Sequence, residues 1–159
     1  MTRAEQYAAQ LTAVNEQVLG AIGDCTEVEW RRVCVGEERT VGVVAHHIAT
    51  VEGVFAAVIR ALSAGGYAVP NLLAEELERM NARHAEEFAT VGKAETLELV
   101  RTNGASVADA IAVLDDAQLE QVAGVFGGHE LRVTQLVELA LIAHIREHLA
   151  SMRATRAAA

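Results

Sequence analysis

The stretch LIAHIREHLASMR, Leu141 to Arg153, sets His144 and His148 four residues apart in an apolar run, with Glu147 directly before the second. On a helix, neighbours at that spacing lie about 5 to 6 Å apart at Cβ, so two imidazoles can reach one ion. At about 100° per residue, Val137, Leu141, His144 and His148 fall within one narrow arc, the most apolar side of the helix. Burying imidazoles without partners costs a few kcal/mol apiece, whereas a shared metal takes a lone pair from each. The string HIREH also matches H-x-x-E-H, a zinc-protease pattern in which the glutamate is the general base. That pattern needs a further ligand downstream, and the short stretch after His148 contains no acid. Glu147 is therefore read as a solvated carboxylate, or one that supports a metal ligand from behind.

These donors depend on helices elsewhere in the chain. A second long helix is expected from Thr40, its N-cap, to about Ser63, with the stripe Val44, Ile48, Val51, Phe55, Val58 and Leu62. His47 falls about 60° from the centre of that stripe and His46 almost opposite it. A third helix, with Pro70 in its first turn, is expected to reach Val91 along Leu73, Leu77, Met80, His84, Phe88 and Val91, with Asn81 on its flank. His47, His84, His144 and His148 are thus expected to look into one interior. Three histidines with a position left open is the ligand count of catalytic zinc.

The remaining segments complete an all-α four-helix bundle with short extra helical turns in the connections. A first helix covers about 2 to 22, and Thr26 with Glu29 offers a capping box for a short turn carrying Trp30. Thr96 is read as the cap of a further helix, with Gly104 a potential break. DDAQLEQ reads as a short turn and VAGVFGGHELRV as a loop or extended connection into the last helix, Thr134 to about Arg153. Residues 1–153 are expected to form a single domain and 154–159 a short basic tail.

A net charge of -9 and a pI near 5.1 repel a phosphate backbone, which argues against nucleic acid. Charges interrupt the apolar segments before they reach the length of a bilayer span, so no membrane is expected. The N-terminal MTRAEQYAAQ lacks the basic-then-apolar pattern of a secretory signal, which points to the cytoplasm. Cys25 and Cys34 match no metal or redox spacing and read as ordinary thiols. Leu139 and Ile142, opposite the histidines of the last helix, suggest a homodimer face.

Trp30, the segment RTVGVVAHHIA and the terminal AHIREH together resemble the DinB-like superfamily of small metal-binding four-helix proteins, which includes thiol-dependent S-transferases and mycothiol-dependent isomerases. The resemblance spans nearly the whole chain, and its pattern matches His47, His144 and His148 to the metal histidines. It implies a divalent metal, zinc or nickel, and a low-molecular-weight thiol such as mycothiol acting on a small-molecule electrophile. His84 and Asn81 would then line the cavity and orient substrate, with His84 an alternative fourth ligand. Two other readings stand beside this one: a metal-assisted hydrolase or lyase at the same site, and a non-catalytic metal- or ligand-binding bundle.

Overall fold

The structure is a computed structural model of the chain in which residues 1–66 and 69–158 are described. Four long helical elements form the bundle: α1 (Arg3–Gly23), α3 (Val41–Ser63), α5 (Lys93–Ala112) and a C-terminal helix. The last comprises a short α7 (Val133–Gln135), a π-helical segment (Leu136–Ala143) and α8 (His144–Ala157). Between them lie α2 (Glu27–Trp30), α4 (Ala74–Glu87), α6 (Asp116–Glu120) and three short strands, β1 (Val69–Leu72), β2 (Val122–Phe126) and β3 (His129–Arg132).

Local signals set several boundaries. Thr26 and Glu29 form the expected capping box, and the Thr40 hydroxyl accepts from the Val43 amide to start α3. Trp30 is buried against α3, its indole N–H donating to the Val91 carbonyl at 3.0 Å. Only glycine fits beneath it, since a Cβ at Gly42 would stand 2.7 Å from the indole. Gly104 does not break α5. It admits Asn15 of α1, whose Nδ2 would lie 1.5 Å from a Cβ there, so the two helices approach closely.

Four boundaries differ from expectation. Thr96 is not a cap: α5 starts at Lys93 after Gly92, and the Thr96 hydroxyl turns back to the Gly92 carbonyl at 2.9 Å. Pro70 lies in β1 rather than in a first helical turn, and α4 begins only at Ala74 and ends at Glu87. No residue of α4 is buried, and Leu73 and Met80 of its expected stripe are exposed, so α4 flanks the bundle instead of completing it. The residues expected as a tail continue α8 to Ala157, with Thr155 buried.

The connection VAGVFGGHELRV is the β2–β3 hairpin, antiparallel, with β1 added in parallel on β2. Gly127 and Gly128 both have positive φ, 53° and 84°, as a two-residue hairpin turn of matching twist requires. One further correction concerns hydropathy. α3 is long and apolar enough to cross a bilayer by length and composition, yet most of it is buried within the bundle. Residues 41–49 are buried without interruption, as suits a helix apolar on all sides.

Candidate metal centre

α3 and the C-terminal helix bring the expected triad together. His47 Nε2 lies 3.1 Å from His144 Nε2, which lies 3.1 Å from His148 Nε2. The three form the one group of close metal-capable donors among the described residues. A tetrahedral ion with bonds of about 2.0 to 2.1 Å needs its ligand nitrogens about 3.3 to 3.4 Å apart, so the triad is already close to a chelating geometry. His47 and His148 are buried and His144 is half-buried.

The electrostatics also suit a cation. Burial, reinforced by the positive Arg39 and the neighbouring imidazoles, pushes His47 down to about 2. Burial, then His148 and Arg39, pushes His144 down to about 4. Both rings are therefore neutral at pH 7 and keep a lone pair to donate.

Glu37, which sequence reasoning missed, orients the third donor. Its Oε1 accepts from His148 Nδ1 at 2.8 Å, which leaves Nε2 free to face the other two rings. Arg39 donates to the other oxygen at 2.7 Å. Burial opposes ionisation of Glu37, but the hydrogen bond and charge of His148, followed by Arg39, outweigh it and hold the carboxyl at about 2. The loop is fastened to α8: the Val35 amide donates to Thr155 Oγ1 at 2.8 Å, and the Ser151 hydroxyl donates to the Val35 carbonyl at 2.7 Å. Gly36, at φ 78°, supplies the turn that presents Glu37. Glu147, the carboxylate expected to support His148 from behind, is exposed.

His46 corrects another expectation. It is buried, because α4 covers that side of α3. Its Nδ1 lies 2.9 Å from His84 Nε2, and Phe88 stacks on its ring at 3.9 Å between centroids. His84 is thereby drawn toward His46 and is not one of the three grouped donors. Burial, then the neighbouring His46, lowers His84 to about 4. Asn81, one turn earlier, lines a cavity of about 460 Å³ that also reaches His47 and His144.

A helical bundle with three converging imidazoles at the edge of a cavity defines a class of protein equipped to hold a divalent metal with access from one side. The family follows from sequence: the model of the DinB superfamily matches residues 10–152, and the chain belongs to that superfamily. No curated protein matches it.

Proposed function

We propose that the protein is a metal-dependent thiol transferase or isomerase, using zinc or nickel and a low-molecular-weight thiol such as mycothiol on a small electrophile. The observation that carries this reading is the convergence of three imidazole Nε2 atoms at the end of a cavity large enough for a substrate. His47, His144 and His148 would hold the ion. When bound, it supplies the positive charge that keeps a thiol or a water deprotonated near neutral pH.

The other roles belong to the chain itself. Glu37 accepts the His148 Nδ1 proton and so fixes that ring's tautomer and direction. Arg39 holds Glu37 in place. Asn81 offers a neutral donor and acceptor to a ligand in the cavity. His84 lends its Nε2 to His46, which favours three protein ligands over four and so an open position.

The test is ligand exchange on cobalt-substituted protein. The visible spectrum should change saturably with a small thiol, and the thiol should then be consumed with an alkylating electrophile. A cobalt spectrum indifferent to thiols and to azide would show a closed site and refute the reading. Exchange with azide but no thiol chemistry would shift it to a hydrolase or lyase.

A further inference from the structure

The cavity beside the triad carries information about what enters it. It is walled by α3, α4, the small sheet and the π-helical segment, through residues such as Val51, Phe55, Leu77, Val125, Leu131 and Leu136. Its polar side chains are Asn81, His47 and His144, all three at the triad end or neutral, and no charged side chain lines it among the described residues. Glu37 and Arg39, the charges beside the triad, pair with each other and lie outside the lining.

Without a cation at the triad, an anionic group placed against these walls would meet no charged side chain to replace the hydration it loses. Taking an ionised carboxylate into apolar surroundings without a partner is among the costliest transfers in a protein. An apolar chain or ring gains instead about 25 cal/mol for each Å² removed from water. We propose that the cavity binds an uncharged, predominantly apolar small molecule whose one polar end lies against His47, His144 and Asn81, and that the metal-free cavity rejects carboxylates and phosphates. The inference deepens the metal-centre reading, on which it rests only for the direction in which the polar end points.

Two positions allow a test without touching the triad. Ala140 lines the cavity from the π-helical segment, so Ala140→Trp would occupy part of it. Leu139 lines its rim and is 60% exposed, so Leu139→Asp introduces a charge where the fold already tolerates water. The measurement is calorimetric titration of the metal-stripped protein with 1-octanol and with octanoate, which differ only in the end group, at pH 7.5. Octanol should bind saturably and at least about ten-fold more tightly than octanoate, given the cost of an unpaired buried charge. Ala140→Trp and Leu139→Asp should each weaken octanol binding by about five-fold or more. Equal or tighter binding of octanoate, no saturable binding of octanol, or native affinity in both variants would overturn the proposal. Failure of the metal reading would appear separately, as native protein that takes up no zinc in equilibrium dialysis while its octanol isotherm stands.

Discussion

Replacing Glu37 tests whether the triad is a built metal site, because Glu37 touches no other donor yet orients one. Its Oε1 lies 2.8 Å from His148 Nδ1 and its Oε2 lies 2.7 Å from Arg39, so it joins a ligand to a fixed cation. Glu37→Gln keeps an oxygen for the imidazole N–H but loses the charge, and its amide N–H groups face a guanidinium that cannot accept from them. Supporting partners of this kind are worth about 10- to 100-fold in metal affinity. The Gln variant should fall near the lower limit. Glu37→Ala leaves both the ring N–H and Arg39 without a partner and should fall near the upper limit, about 2.8 kcal/mol. Zinc affinity is read by competition with a chromophoric chelator at pH 7.5, with circular dichroism to confirm that the helices persist. Glu147→Gln, at the exposed carboxylate beside His148, should leave affinity unchanged. Zinc binding by Glu37→Ala within about two-fold of native, or a Glu147→Gln loss as large as that of Glu37→Gln, would refute the reasoning.

Four further outcomes are expected. His47→Ala should lose metal, measured by elemental analysis of tag-free protein, whereas His46→Ala should retain it despite the burial of both rings; equal loss would dissolve the assignment. Glu52, fully buried on α3 with neither carboxylate oxygen hydrogen-bonded, is raised to about 8 by burial alone. Glu52→Leu should therefore raise the urea midpoint at pH 8 more than at pH 5. Metal-free protein should lose stability steeply as the pH falls below about 6.5, read as a falling thermal midpoint, and a flat profile from pH 7 to 5 would contradict the buried neutral histidines. A homodimer is proposed on exposed Leu139 alone, since Ile142 is buried, and a monomeric mass by light scattering at micromolar concentration would remove it.

The parts of this molecule that could be read in advance are those written in local spacing. Thr26, Thr40 and the i, i+4 histidines each act within one turn of their own helix, so periodicity alone placed His47, His144 and His148 on inward faces. Three of the failures involve a second element. His46 points away from the bundle axis, as the helical arithmetic requires, but α4 passes over that side and buries it against Phe88. Glu37 sits in a loop whose position depends on Ser151 and Thr155, more than a hundred residues away in sequence, and no spacing rule announces such a contact. Ile142 is buried because α1 and α3 both pack on the π-helical segment, which widens the covered arc beyond a single stripe. The paired glycines of FGGH were a readable hairpin signal that the helical context obscured.

The same helix that presents His47 also carries Glu52, and their protonation acts on stability in opposite directions. His47, His84 and His144 have folded values near 2, 4 and 4, below the unfolded value of about 6.5. Below that pH the unfolded chain takes up protons that the folded one refuses, so their contribution is complete above 6.5 and is lost as the pH falls. Glu52 is the reverse case: its folded value near 8 lies above the ordinary 4.5, so its contribution is present at low pH and is lost as the pH rises through 8. Between 4.5 and 6.5 the two effects compete, and three imidazoles outweigh one carboxyl. Above 6.5 only the carboxyl still titrates among these groups, so metal-free stability should peak near pH 6.5 and decline by a few kcal/mol towards pH 8. The bundle thus keeps His47 and His144 neutral by burying them where protonation is resisted, and gives up acid stability to keep those two lone pairs available at neutral pH. A divalent ion bound to those lone pairs would stabilise the folded state by mass action in that same range, where the donors need not release a proton to bind it.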